Sequence, residues 1–127
     1  MNIKSELKAI KKFIPIIDEQ SCKYNVDRNA LLSIAILENI NRPLWIRMWE
    51  KIVSKFLSVK TFGLMQVSSE KYVDDKESIE IATKYISKLN YKNNLIRLGE
   101  LYNGSKEYGK CLNYIYSEIN HLARLRY

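Results

Sequence analysis

The stretch Ala30-Leu-Leu-Ser-Ile-Ala-Ile-Leu-Glu38 decides the fold, because it is a run of helix-forming apolar residues that ends in a carboxylate. Steps of three, four and seven residues back from Glu38 reach only aliphatic residues, so its side chain leaves from an apolar face of the predicted helix. We expect Asn29 and Ser33 to point roughly the other way. A carboxylate among aliphatic side chains is costly to ionise, so it either finds a partner or keeps its proton. Glu38 is therefore a candidate general acid.

The composition indicates one globular domain, residues 1–127. Hydrophobic residues make up 46% of the chain and charged residues 28%, and no stretch approaches the roughly twenty apolar residues that span a bilayer. The first residues alternate charged and apolar side chains, unlike the continuous apolar core of a secretory signal. We expect no signal peptide, and a chain that is cytoplasmic, already processed, or released by a route that needs no such signal.

The net charge of +7 favours an anionic partner. That partner could be nucleic acid, an acidic membrane, or the teichoic acids and peptide carboxylates of a bacterial wall. An amphipathic helix is predicted for residues 3–13, with Pro15 bending or restarting it. Lys4, Lys8, Lys11 and Lys12 lie largely on its polar side. Such a face is most often only solvated, although it could attract a polyanion.

Cysteine and histidine are too few to suggest a metal site. Cys22 and Cys111 stand far apart, and the chain has one histidine, His121. We expect two buried apolar cysteines, with a disulfide between them left open. His121 is expected on the surface or as a satisfied core residue of the last helix. The sequence predicts no metal and no cofactor.

The remaining pattern predicts a mainly α protein. Asp27 is placed to cap the helix that carries Glu38, which should end near Asn41. A helix is predicted over Pro43–Leu57, with its two tryptophans in the core or, alternatively, with Trp45 or Arg47 forming one wall of a groove. Residues 58–67 suit at most a minimal β excursion.

Three further helices complete the prediction. The first follows a capping box formed by Asp74 and Glu77 and runs to about Asn90. The second covers Leu95–Leu101. The third covers Lys106–Arg126, and its residues at core spacing are Tyr108, Cys111, Leu112, Ile115, Ile119 and Leu122.

Two short motifs downstream of Glu38 carry a family resemblance. Gly63-Leu64-Met65-Gln66 resembles a signature of the soluble lytic transglycosylases and goose-type lysozymes, although alone it could be a turn with a buried Leu and Met. Tyr102-Asn103-Gly104 resembles the Ala-Tyr-Asn segment of the same family. Together with the helix that ends in Glu38, the two motifs stand in the family's order. The resemblance covers roughly Asp27 to Tyr116.

The resemblance implies a lysozyme-like helical domain whose cleft binds peptidoglycan glycan strands. Glu38 takes the position of the catalytic acid. The residues in substrate-binding positions are Gly63, Leu64, Met65, Gln66, Tyr102 and Asn103. Tyr102 matches a tyrosine whose hydroxyl lies near the catalytic carboxyl, and Asn103 matches a neighbour that holds the loop and could contact sugar. We expect a monomer that binds no nucleic acid and has no membrane span.

The reaction depends on whether a second carboxylate exists. Hydrolysing glycosidases ordinarily use two, whereas lytic transglycosylases are understood to use one glutamate as acid and then as base. Ser68 stands where goose-type lysozymes have an aspartate, which favours the transglycosylase; Glu50, Glu70 and Asp75 remain possible substitutes. The sequence also departs from the family at Asn39, where serine is usual, at Ser105, and in the longer gap between Glu38 and Gly63.

Two other functions stay open. One is a hydrolytic muramidase, a lysozyme on the same fold. The other is a basic helical module without enzymatic activity that binds glycan or nucleic acid. A nucleic-acid module would leave Glu38 on its apolar face unexplained.

Overall fold

Helices make up nearly all the regular structure in the part of the chain that the structure describes. A computed structural model describes residues 2–41 and 75–125. In those residues the helices are, in order, α1 (Ile3–Ala9), α2 (Ile14–Tyr24), α3 (Arg28–Asn41), α4 (Asp75–Ser87), α5 (Leu95–Asn103) and α6 (Lys106–Leu125). The same residues contain no β-strand, which confirms the mainly α class. The β excursion at 58–67 and the Pro43–Leu57 helix lie outside the described residues.

The N-terminal region is two helices where one was predicted to reach residue 13. Helix α1 ends at Ala9, and a short 3-10 helix, Lys11–Phe13, separates it from α2. Pro15 lies in the first turn of α2, where its missing amide hydrogen costs no helical hydrogen bond. With this break, Ile10 and Phe13 are both buried in the core. Tertiary packing therefore interrupts the single helix that the apolar spacing predicted.

Helix α3 runs through the centre of the core. Every residue from Ala30 to Glu38 is buried. Ser33 is fully buried too, and its hydroxyl donates to the Asn29 carbonyl oxygen at 2.6 Å. The side of α3 that carries Ser33 is therefore buried as well. A helix buried on all sides packs against several neighbours, and α3 contacts α1, α2 and α6.

Helix α4 packs on α2. Ile79, Ala82 and Ile86 are fully buried, as the apolar spacing predicted. The helix ends at Ser87 rather than near Asn90, and Leu89 is half-buried beyond it. Asp74 of the predicted capping box lies outside the described residues.

Helices α5 and α6 form the most extensive helix pair in the described residues. They cross where Gly99 meets Gly109: a Cβ at Gly99 would lie 2.7 Å from the Gly109 nitrogen, and a Cβ at Gly109 would overlap the Ile96 carbonyl oxygen. Two helix backbones approach this closely only where both lack side chains. Gly104 ends α5 in the left-handed conformation, with φ +86°, which makes the reversal into α6 short.

The described helices include none that is long and apolar enough to cross a lipid bilayer.

Candidate active site

Glu38 lies in the last turns of α3 with 2% of its surface exposed. The burial follows from the apolar face from which its side chain leaves, as the sequence predicted. No other carboxylate is buried among the residues whose side chains the structure describes. A buried carboxylate is costly unless it is hydrogen-bonded, so its partners define the site.

Tyr108 in α6 is the partner that the structure adds. Its hydroxyl donates to Glu38 Oε1 at 3.0 Å, in a buried hydrogen bond. Sequence reasoning missed this role, because Tyr108 stands at core spacing and was assigned to packing alone. Tyr108 begins the buried stripe of α6, and only the packing of α6 on α3 shows which buried group its hydroxyl meets.

Tyr102, which the family resemblance placed near the catalytic carboxyl, lies beside Tyr108. The two rings stack with centroids 6.0 Å apart and planes inclined at 25°. The ring of Tyr85 in α4 is also close to that of Tyr102, with centroids 6.1 Å apart and planes inclined at 54°. Aromatic pairs at these separations add to the packing energy. The three tyrosine rings are therefore packed together next to Glu38.

The electrostatics of the two buried tyrosines place both near Glu38. Burial raises the pKa of Tyr102 well above its ordinary value, and the charges of Glu38 and Tyr85 add to the rise. Burial also raises the pKa of Tyr108, followed by the charges of Tyr102 and Glu38 and by the hydrogen bond to Glu38. Both hydroxyls are therefore neutral donors at physiological pH.

The crossing of α5 and α6 sets the positions of both tyrosines. Gly99 lies one helical turn before Tyr102, and Gly109 directly follows Tyr108. A Cβ at Gly99 would lie 3.2 Å from the Tyr108 carbonyl carbon. The two glycines therefore allow the backbone approach that stacks the rings.

The other end of α3 is also tied to α6. Asp27 caps α3, as predicted, by accepting from the Asn29 amide at 2.9 Å. Its other carboxylate oxygen accepts from the Tyr116 hydroxyl, and Asn29 Nδ2 donates to Asn120 Oδ1 at 2.8 Å. Helix α3 is thus fixed to α6 at both ends.

The structure brings together only part of the predicted site. Glu38 and Tyr102 share one buried region, whereas Asn103 lies half-buried at the end of α5. Ser105, one of the departures from the family, caps α6 by accepting from the Tyr108 amide at 3.3 Å. Gly63, Leu64, Met65 and Gln66 lie outside the described residues. The same holds for the predicted groove wall at Trp45 or Arg47 and for the carboxylates of Glu50 and Glu70.

The cysteines are not the buried apolar residues that the sequence predicted. Both Cys22 and Cys111 are free and exposed. His121 is exposed on α6. Within residues 2–41 and 75–125, no group of three or more histidine, cysteine, aspartate or glutamate side chains is placed to hold a metal ion.

Comparison of the chain with known protein families, curated proteins and solved structures finds no match.

Proposed function

We propose that this protein is a peptidoglycan lytic transglycosylase of lysozyme-like fold. It cleaves the β-1,4 bond between MurNAc and GlcNAc, with Glu38 as general acid and then general base. The observation that carries the proposal is the buried Glu38 carboxyl held by the Tyr108 hydroxyl at 3.0 Å. A carboxyl group in an apolar setting is suited to proton transfer, and its position agrees with the motif resemblance.

In the first step Glu38 gives a proton to the glycosidic oxygen while the bond to the anomeric carbon breaks. The Tyr108 hydroxyl holds Oε1 of that carboxyl group. The hydrogen bond from Tyr108 becomes stronger as the carboxylate forms, since bonds to an ionised acceptor are about twice as strong as neutral ones. Tyr108 thus favours the charged state that lies between the two steps.

In the second step the Glu38 carboxylate accepts the proton of the C6 hydroxyl of the muramoyl residue. That oxygen attacks the anomeric carbon and closes the 1,6-anhydro ring, so no water is consumed and Glu38 regains its proton. The low exposure of Glu38 and the packed rings of Tyr102 and Tyr108 support this route, because a site that excludes water favours the intramolecular nucleophile.

The substrate-binding roles rest on the resemblance. Gly63, Leu64, Met65 and Gln66 would line the groove, the glycine allowing the backbone to approach the sugar and Gln66 offering both a donor and an acceptor. Tyr102 and Asn103 would complete its floor. The enzyme would act on the bacterial wall, after release from the cytoplasm by a phage-type or secretion route.

The test is the clearing of purified peptidoglycan by the native protein and by Glu38→Gln. Glutamine keeps the size of the side chain and an oxygen that accepts from Tyr108, but it cannot serve as acid and base. We expect clearing to fall by about 100-fold or more. The matched control is Glu100→Gln, which alters an exposed glutamate of α5 and should clear at the native rate. Equal clearing by both variants would remove Glu38 from the mechanism.

A further inference from the structure

A compact group of exposed lysines covers the outer side of the N-terminal region. Lys4 and Lys8 lie on α1, and Lys11 and Lys12 lie on the 3-10 helix that follows; all four are exposed. We call this group the lysine face. Lys8 follows Lys4 by four residues, Lys11 follows Lys8 by three, and Lys12 is next to Lys11, so four positive charges lie within nine residues of the chain.

No ion pair among the described residues involves the lysine face, although the Lys12 Nζ lies 5.0 Å from the centroid of the Phe13 ring. The ion pairs found there use Lys23, Arg28, Lys76 and Lys110 and none of the four lysines. Glu6 is the one acidic residue between Asn2 and Phe13. Like charges this close along the chain repel one another, and an anionic ligand would relieve that repulsion.

The lysine face lies on a segment that packs against the helices of the candidate site. Beneath it Ile3, Ile10 and Phe13 are buried, and α1 contacts both α3 and α6. A ligand on the face would therefore be held by elements that touch the helices of Glu38 and Tyr108.

The make-up of the face argues against two classes of anionic partner. An amphipathic helix that enters a membrane needs its apolar side free, and here that side is buried in the core. Single-stranded nucleic acid is usually held by exposed aromatic rings together with basic residues, whereas the aromatic ring in this segment, that of Phe13, is buried. Carboxylates that are spaced along a polymer can each be bound by a single positive charge, which lysine supplies.

We propose that the lysine face binds the carboxylates of the peptides attached to the peptidoglycan glycan, and so holds the enzyme on its polymer. This inference rests on the proposed function, because it assumes that peptidoglycan is the substrate. It adds a second contact, to the peptide part of the wall, that is separate from the glycan site at Glu38.

The experiment measures co-sedimentation with purified peptidoglycan sacculi freed of phosphate-bearing polymers, at low and moderate salt. All proteins carry Glu38→Gln, so that the polymer is not cut during the measurement. One variant adds K4Q, K8Q, K11Q and K12Q. The matched control adds K84Q, K92Q, K106Q and K110Q, which removes the same total charge from exposed lysines elsewhere.

We expect the lysine-face variant to bind about tenfold more weakly at low salt, because exposed ion pairs are individually weak but four are removed together, and the control to change less than about twofold. The difference should shrink at higher salt. Equal weakening of both variants would show that net charge alone acts and would overturn the proposal. Binding that needs the phosphate-bearing polymers, or lysine-dependent binding to duplex DNA or anionic vesicles without binding to sacculi, would also overturn it.

The two proposals fail separately. Sedimentation requires no cleavage, so a loss of binding in the lysine-face variant supports the lysine face whether or not Glu38 is catalytic. Conversely, undiminished clearing by Glu38→Gln would reject the catalytic role while leaving the sedimentation result unchanged.

Discussion

Two carboxylate–tyrosine hydrogen bonds join the same pair of helices, α3 and α6, and they differ in almost every other respect. At the start of α3 the exposed Asp27 accepts from Tyr116. Near its end the buried Glu38 accepts from Tyr108. Asp27 has a complete structural explanation, because its other oxygen caps the helix. Glu38 lies near the C-terminal end of α3, where a carboxylate is unfavourable.

Asp27 is a carboxylate that stabilises the fold, whereas Glu38 is a carboxylate whose burial costs free energy of folding. Asp27 lies where the helix leaves an amide unpaired and where water screens its charge. Glu38 lies where an aliphatic residue would pack without a desolvation cost. Groups that are unfavourable for folding are found most often at functional sites, which is why the buried pair carries the proposed chemistry.

The largest expected effect is that of Gly109→Ala, which would disturb the Glu38–Tyr108 hydrogen bond by moving the backbone of α6. The added Cβ would overlap the Ile96 carbonyl oxygen and lie 3.0 Å from its carbon. Both atoms are backbone, so α5 and α6 must separate, and Tyr108 must move with them. We expect a loss of about 3 kcal/mol in the free energy of unfolding, measured by denaturant titration.

Gly104→Ala is the matched control for that experiment. A Cβ at Gly104 meets nothing within 4 Å, and the only cost is its φ of +86°. That strain costs about 1 kcal/mol. If the two alanine variants lost equal stability, the close crossing would not be what fixes Tyr102 and Tyr108.

The next effect compares Tyr108→Phe with Tyr116→Phe. Removing the Tyr108 hydroxyl takes a donor from a buried carboxyl oxygen and should cost about 1–3 kcal/mol. Removing the Tyr116 hydroxyl leaves Asp27 to water and should cost about 0.5 kcal/mol. Clearing of peptidoglycan should fall only in Tyr108→Phe, with a lower kcat rather than a higher KM. A larger loss in Tyr116→Phe, in stability or in clearing, would reverse the ranking of the two pairs.

The smallest effect is a difference in tyrosine titration. Burial raises the pKa of Tyr108 well above its ordinary 10.0, whereas the pKa of Tyr116 rises less, through burial, the hydrogen bond and the charge of Asp27. As pH rises past about 10 the unfolded chain releases these protons first. The stability that depends on neutral Tyr108 is therefore complete below that pH and is lost above it.

Tyrosinate absorbance of the folded protein measures this difference. Tyr116→Phe should lower the absorbance gained as the pH rises above the ordinary tyrosine pKa of about 10. Tyr108→Phe should leave that gain unchanged until the protein unfolds. Equal loss of absorbance in both variants would place Tyr108 in water.

The sequence predicted α3, α4, α5 and α6 and the apolar surroundings of Glu38, because these follow from local periodicity and capping. It placed Asp27 correctly as a cap, and Ile79, Ala82 and Ile86 in the core. It did not predict the break after Ala9, because an uninterrupted helix satisfies the same apolar spacing.

The sequence could not reveal the partner of Glu38. The sequence pattern of a buried tyrosine at core spacing is the same whether its hydroxyl bonds a carboxylate or a backbone group. The Gly99–Gly109 crossing was equally hidden, since a glycine inside a helix indicates close approach only once its neighbour is known. Cys111 was placed in the core although it lies at the edge of the α6 stripe, which is narrower than the sequence pattern suggested.

The central claim, that Glu38 acts as acid and then as base, is tested most directly by mass spectrometry of the muropeptides released from purified peptidoglycan. The account predicts products with 1,6-anhydromuramoyl ends, one water lighter than reducing ends, from the native protein and from Glu100→Gln but not from Glu38→Gln. Reducing ends would instead indicate a hydrolytic muramidase. Anhydro products from Glu38→Gln in native amounts would contradict the account.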